Sequence, residues 1–445
     1  MRPAKSRPFL PAFELARGRA PRYTRPIRSR MTRSLTSQHP QHDAKRVGIV
    51  TFYLKDNYGG ALQAFATCEI CRSLGLEPLL VRSPFEGYYG MDPDKGMPLS
   101  LLIGLYMRHR LLRPGRGASL LLRLKKALIK LRAPQGQALL HKNDGIAAHL
   151  FKRFANRHLP PVISTEDRQA IASCSCFIVG SDQVWRRRYL RNEYHVLHYL
   201  LDFADDEQRA ASIAYAASFG CEHWEGSELM RQPAAELLRQ FKAVSVRENS
   251  GIAAAQEAWG VDAVRMPDPT LVVDAKAYDR LIESEKTVLP PKPYLATYIL
   301  DASESSRRVA RAAAEGLKLY GQPLMPTAQT GHRDDLIFKS VPQWLRYMRD
   351  CEAVVTDSFH GCVFSLIFNK PFLCLGNAAR GSARFDTLFD TFGLRDRLLV
   401  DGDASQALDL LRQPMDWERI NALLHSEQQR GLNFLRDHLR PSPSA

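Results

Sequence analysis

Short apolar runs alternate with helical stretches from residue 47 almost to the end of the chain, and this alternation restricts the fold more than any other feature. "RVGIVTFYL" carries a strand at Val47, Ile49 and Val50. "KDNYGG" turns, "ALQAFATCEICRSLGL" has helical spacing and stops at Gly75, and "EPLLVRS" is a second strand. A strand, a helix and a strand in this order make a βαβ unit, which calls for a parallel sheet covered by helices. The pattern returns at "CFIVG" (Cys176–Gly180), "AASIAYAASFG" and "AVSVREN" (Ala243–Asn249), the last leading into the helix "SGIAAAQEAWG". "AVRMPDPTLVVD" breaks at Pro-Asp-Pro. A second set opens with "PYLATYIL" (Pro293–Leu300) and the helix "SSRRVARAAAEGLKLYG". "VPQWLRYMRDC" is a helix feeding the strand "EAVVTD", "KPFLCLG" is the next strand, and Met415–Leu439 is a long terminal helix.

The expectation is an α/β fold with two Rossmann-like domains, which 445 residues accommodate comfortably. The first is expected over 46–266 with a basic helical insertion at 100–145, the second over 267–400, and a closing helical segment over 401–445.

The formal charge of +15 is confined to two segments. Residues 1–46 hold 12 Lys/Arg and 2 acids, and residues 107–142 hold 10 Lys/Arg and no acid, so the rest of the chain is net acidic. A nucleic-acid binder spreads basic charge over its folded surface, so no nucleic acid is expected as a partner. Residues 1–45, rich in Arg, Pro, Ser and Gln without periodicity, read as a disordered tail, and Met31 is a second candidate start. The basic N-terminus lacks the apolar region of a signal peptide, and no apolar run of about 18 residues offers a membrane span. Of eight cysteines, Cys68 with Cys71 and Cys174 with Cys176 are closely spaced. Neither matched pairs nor nearby histidines complete a zinc spacing, so no metal is expected. Free buried thiols fit a reducing cytoplasm.

In open α/β sheets, ligands bind beyond the carboxyl ends of the strands, so the polar corners there are the candidate site. Asn57, Gly59 and Gly60 open the first helix, where glycines bring backbone N–H groups close to an anion; a tight strand-to-helix turn is the plainer reading. At "GSDQVW", Ser181, Asp182 and Gln183 follow a strand, and Asp182 either deprotonates a sugar hydroxyl or caps the next segment. Arg247 offers a guanidinium fork to a carboxylate or phosphate, or else forms a surface ion pair with Glu248. At "TDSFHG", Asp357 or Ser358 caps a helix whose first turn leaves N–H groups for an anion. His360 sits in that turn, either as a proton donor or as a packed histidine bonded to a carbonyl.

Taken together, "GIVTFYLKDNYGGALQAFA", "FIVGSDQVW", "YAASFG", "VSVRENSG", "DPTLVVD", "VVTDSFHGCVFSLIFNKPF" and "RFDTLFDTFGL" resemble the polysaccharide pyruvyl transferase family, in the family's order from about residue 47 to 400. The resemblance implies a glycosyltransferase-B-like fold with two Rossmann-like domains facing a cleft. It implies transfer of the enolpyruvyl group of phosphoenolpyruvate to a sugar of a surface-polysaccharide intermediate, leaving a pyruvate ketal, with phosphoenolpyruvate as donor substrate and no cofactor. His360 falls at the family's active-site histidine and Arg247 at its donor-binding arginine. Ser358, which stands where some members carry arginine, Gly361 and Arg384 join Arg247 as expected donor-binding residues, with Arg384 the candidate to replace the missing charge. Arg186 stands where members commonly carry asparagine after "GSDQVW". Asp182 is the candidate acceptor base, with Asn57, Gly59, Gly60, Ser181 and Gln183 lining the acceptor site or the cleft. The basic stretch 118–132 reads either as a helix lying on an anionic membrane next to a lipid-linked sugar acceptor or as an ordinary solvated helix. The expected location is the cytoplasm, with peripheral contact at the inner face of the membrane. A nucleotide-sugar glycosyltransferase and a non-catalytic glycan-binding or membrane-scaffold relative are the alternatives.

Overall fold

In a computed structural model of the protein, the described residues are 45–52, 57–82, 135–190, 193–290, 293–327, 335, 337–376, 383–400 and 404–439, with the backbone alone described over 135–145. The basic tail and the stretch 118–132 lie outside the described residues. Residues 44–445 form one compact unit built on two parallel sheets.

The first sheet contains β1 (Arg46–Val50), β2 (Glu77–Arg82), β3 (Val162–Ser164), β4 (Cys176–Val179), β5 (Ile213–Ala217), β6 (Ala243–Val246) and β7 (Val264–Arg265). Their order is 3-2-1-4-5-6-7, with every pairing parallel. The second sheet contains β8 (Tyr294–Tyr298), β9 (Tyr320–Pro323), β10 (Ala353–Thr356), β11 (Phe372–Leu375) and β12 (Leu398–Leu399) in the order 12-11-10-8-9, again parallel throughout. Both are doubly wound, so the α/β expectation with two Rossmann-like sheets is met. Central strands such as β4 and β10 are buried along their whole length, which is why their sequences are continuous apolar runs rather than alternating ones. The first sheet reverses direction of winding between β1 and β4, and the second between β8 and β10. Each reversal opens a crevice where the two flanking connections leave on opposite faces.

One hydrophobic core runs between the sheets. The helix Tyr58–Ser73 is buried nearly all round, because it packs on its own sheet and against the second set of elements at once. Tyr58 stacks on Trp344 with ring centroids 5.2 Å apart, and Trp344 meets Tyr298 and Phe364 edge-on at 5.0 and 5.4 Å. The Tyr58 hydroxyl donates to the Lys339 carbonyl at 2.8 Å. The terminal helix Trp417–Leu439 returns to the first sheet. There Glu427 accepts from both terminal nitrogens of Arg265 at 2.6 and 3.0 Å, and Lys242 Nζ donates to the His438 carbonyl at 2.8 Å. Sequence alternation did not anticipate the helix Gln135–His158. Its inward stripe, Ala147, Phe151, Phe154 and Ala155, has helical spacing but is diluted by polar neighbours. All eight cysteines are free thiols and only Cys221 is not buried; burial pushes the Cys71 thiol up to about 12.

Trp344→Ala is expected to cost about 3–5 kcal/mol in urea unfolding. Because the ring belongs to the core shared by both sheets, near-UV and far-UV circular dichroism should be lost in one transition; two separated transitions would contradict a shared core.

Candidate active site

At the end of β1 the chain turns into the helix Tyr58–Ser73. Asn57 caps that helix, its Oδ1 accepting from Gly60 N at 3.1 Å. Gln63 braces the same turn, with Nε2 donating to Thr51 Oγ1 at 2.8 Å, the Phe52 carbonyl at 2.7 Å and the Gly60 carbonyl at 3.1 Å. Gly59 carries out a different task. A β-carbon there would overlap the imidazole of His360, so glycine is what lets the first helix of one sheet lie against the histidine of the other.

At the end of β4, Asp182 adopts φ 63°, a left-handed conformation that short polar residues tolerate best. Its carbonyl accepts from Ser218 N at 3.0 Å and its Oδ1 from Gln183 N at 2.8 Å. Ser181 is fully buried; its carbonyl accepts from Thr51 Oγ1 at 3.0 Å and its hydroxyl donates to Asp268 Oδ2 at 2.9 Å. Gln183 Oε1 accepts from Arg186 Nη1 at 2.8 Å, an arrangement that Gly220 permits by lacking a side chain.

Arg247, at the end of β6, is buried. Its Nη1 donates to Asp268 Oδ2 at 2.8 Å, its Nε lies 3.3 Å from Glu248 Oε1, and its Nη2 lies 3.9 Å from Asp182 Oδ1. Its guanidinium carbon stands 4.7 Å from the centre of the Phe359 ring. Burial opposes its charge, but Glu248, Asp268 and Asp182 outweigh burial and hold the group protonated well above the usual arginine range. The pairing with Glu248 is not the surface pair expected from sequence. Glu248 is 1% exposed, also accepts from Ser218 Oγ at 2.5 Å, and is followed by Asn249, whose N–H is held by Thr387 Oγ1 at 3.0 Å.

The β10 corner supplies the second half. Asp357 does not cap the following helix; its two oxygens accept from Leu300 N at 2.7 Å and Asp301 N at 2.8 Å, tying the ends of β8 and β10 across the reversal. Ser358 occupies the cap position of the helix Phe359–Ile367 without a side-chain cap bond. A β-carbon at Gly361 would overlap the Thr356 hydroxyl, so this glycine seats the helix on its own strand. His360, buried in the first turn, has Nε2 3.7 Å from Asp268 Oδ2, an ion-pair separation.

Asp268 is the residue that sequence reasoning missed. The chain Pro-Asp-Pro reads as a break, yet Asp268 caps the short helix Pro269–Val272 with Oδ1, which accepts from Thr270 N at 3.0 Å and Thr270 Oγ1 at 2.7 Å. Burial raises its carboxyl, but the charges of His360 and Arg247 and the Thr270 hydroxyl prevail and hold it well below the usual carboxylate range. The available signal was local: Asp followed by Pro and Thr is a strong helix start. Arg384 belongs to the same neighbourhood. Burial, then the nearby charge of Arg247, pushes its guanidinium down to about 10, against the pull of Glu248, Tyr189 and Asp182. Arg247, Asp268, Phe359, Arg384 and Thr387 line a cavity of about 20 Å³.

The structure therefore joins His360, Arg247, Asp182, Ser181, Gly59 and Arg384 in one buried centre, while Asn57, Gln183, Ser358 and Gly361 shape the turns around it. Among the described residues no group of three or more His, Cys, Asp or Glu is placed to hold a metal ion, and no helix is long and apolar enough to cross a membrane. Two doubly wound parallel sheets, a Rossmann-like α/β arrangement, meet at their reversal points over this buried, histidine-bearing centre. The sequence profile named "Polysaccharide pyruvyl transferase" matches residues 57–378, and the chain belongs to that family.

No curated protein matches the chain in sequence. Among solved structures, S. aureus MnaA with UDP is similar at 11% identity and TM-score 0.43, over 90% of this chain and 100% of that one. Anabaena HepE in complex with UDP and glucose is similar at 10% identity and TM-score 0.42, over 89% and 98%. A Thermobaculum terrenum O-GlcNAc transferase mutant is similar at 12% identity and TM-score 0.36, over 89% of this chain and 66% of that one.

Gly59→Ala separates the helix effect from the contact with His360. Alanine ordinarily stabilises a helix over glycine by about 1 kcal/mol, but here it is expected to lower the melting temperature; a rise would mean the imidazole has room to give way. The Asp268 carboxyl has a second, pH-dependent signature. Its value in the folded state is depressed below the unfolded value of about 3.9. It thus contributes stability that is fully present above the unfolded value and is lost as pH falls toward the folded one. Urea unfolding should show wild type exceeding Asp268→Asn most at neutral pH, with the gap narrowing below about pH 4; a constant gap would contradict the ionised carboxylate.

Proposed function

We propose that the protein transfers the enolpyruvyl group of phosphoenolpyruvate to a sugar of a surface-polysaccharide intermediate, closing a pyruvate ketal across two hydroxyls. The observation that carries this reading is a pair of buried, unsatisfied donors on opposite corners. The nearest carboxylates to His360 Nε2 and Arg247 Nη2, Asp268 Oδ2 at 3.7 Å and Asp182 Oδ1 at 3.9 Å, stand beyond hydrogen-bond distance, and neither nitrogen has another hydrogen-bond partner among the described residues. Buried polar groups are costly without partners, so such a pair points to an anionic ligand that completes them.

The donor substrate suits this centre. Its carboxylate and phosphate match Arg247, with Arg384 as a second cation and the first-turn N–H groups of the helix Phe359–Ile367 as a further anion site. His360 gives a proton to the methylene carbon, which becomes a methyl group. Positive charge develops at the adjacent carbon, and a sugar hydroxyl oxygen adds there as its proton leaves. A second hydroxyl then attacks the same carbon, the carbon–oxygen bond to phosphate breaks, and phosphate departs. The two hydroxyl protons balance the one donated by His360 and the one taken by phosphate. Asp182, beside Arg247 and buried at the carboxyl end of β4, is the group assigned to orient and deprotonate the acceptor. The steps use this chain's residues and the two substrates. The family supports an anionic donor and a glycan acceptor.

Purified protein supplied with an acceptor glycan is expected to release phosphate from phosphoenolpyruvate. His360→Gln should lower that rate by about 10²–10⁴-fold while the variant keeps the circular dichroism spectrum of the folded wild type. Nucleoside diphosphate release from a nucleotide sugar, with no phosphate released from phosphoenolpyruvate, would sink the proposal in favour of glycosyl transfer.

A further inference from the structure

A single atom holds groups from three separate segments: Asp268 Oδ2 accepts from Ser181 Oγ at 2.9 Å and Arg247 Nη1 at 2.8 Å and faces His360 Nε2 at 3.7 Å. Its partner oxygen is fixed independently by Thr270, so the carboxylate has one orientation. Asp268 itself is 1% exposed and lines the cavity shared with Arg247, Phe359 and Arg384. Arg247 comes from the first sheet and His360 from the second, and the short helix that Asp268 caps lies between them in sequence and in space.

We propose that Asp268 is a positioning residue that couples the donor-holding arginine of the first sheet to the proton-donating histidine of the second. The inference rests on the reading of His360 as acid and Arg247 as donor anchor. The carboxylate fixes the guanidinium so that Nη2 is the nitrogen left for the ligand. It also opposes the imidazole with a negative charge, so that a proton on Nε2 is held next to the reacting carbon. Of the neighbouring charged groups, Arg247 is paired with Asp268, Glu248 accepts from Ser218 Oγ, and Asp357 accepts from Leu300 N and Asp301 N. Among the described residues, Asp268 is the carboxylate in ion-pair range of the imidazole. Orienting two reacting partners together is worth far more than orienting either alone, since misplacement by about 1 Å costs roughly 10²-fold in rate.

The test combines a substrate-free signal with kinetics. In ¹⁵N-histidine spectra of the full chain, the resonance that disappears in His360→Gln reports His360. It is expected to move toward the neutral-imidazole pattern in Asp268→Asn. Thr270→Val, which keeps its volume and removes the hydroxyl bond to Oδ1 while leaving the backbone N–H bond, should move it the same way by less and guards against a misfolded Asn variant. With phosphoenolpyruvate and acceptor glycan, Asp268→Asn should lower kcat by about 10²-fold and weaken phosphoenolpyruvate binding by about 10-fold. In the His360→Gln background the kcat penalty of Asp268→Asn should vanish while the binding penalty stays, the mark of groups acting as a unit. An unmoved His360 resonance in both variants, or penalties that add in full, overturns the coupling. If wild type does not turn over phosphoenolpyruvate, the functional reading fails, and the resonance alone then decides whether Asp268 positions the histidine.

Discussion

The meeting of Asp268, Arg247 and His360 is the contact on which the rest of the centre depends. A buried carboxylate, a buried guanidinium and an imidazole would each be costly alone. Together they share one oxygen and neutralise one another, and removal of any one leaves a charge without its partner. The two sheets supply these groups from the ends of β6 and β10, and the chain between the sheets supplies the carboxylate. The centre therefore exists only when both sheets are folded and docked. The core through Tyr58, Trp344, Tyr298 and Phe364 holds that docking from below, and Gly59 removes the side chain that would keep the halves apart.

This architecture gives the reversal points a shared purpose. β1 and β4 open one crevice, β8 and β10 the other, and Ser181 and Asp357 brace them. Ser181 links the turn after β4 to the turn after β1 through Thr51, and to the second half through Asp268. Asp357 does the equivalent work across β8 and β10. Asp357 looks like a cap in sequence, and both residues act as cross-links in space. The terminal helix completes the unit by returning to the first sheet through Glu427 and His438.

Much of this was legible in the sequence, for identifiable reasons. The long buried strands are near-continuous apolar runs, so β1, β4, β8, β10 and β11 announce themselves, and glycines at 75 and 260 end helices in left-handed conformations. Two-residue strands such as β7 and β12 carry no periodic signal at all. His360, Arg247 and Asp182 were accessible because strand ends are where ligands bind. Asp268 was not, because its importance arises from what three distant segments bring to it, and Pro on each side makes it look like a boundary. Glu248 was misread as a surface partner because the helix containing Thr387, which covers its neighbour, is well over a hundred residues away in sequence.

The central claim is that His360 delivers a proton to the methylene carbon of phosphoenolpyruvate as the ketal forms. Running the reaction in deuterium oxide with an acceptor glycan and analysing the product by mass spectrometry and carbon NMR addresses it directly. The account predicts one pyruvate ketal per phosphate released, with a single deuterium in its methyl group. A ketal whose methyl group carries no deuterium, or phosphate release without a ketal, would contradict it.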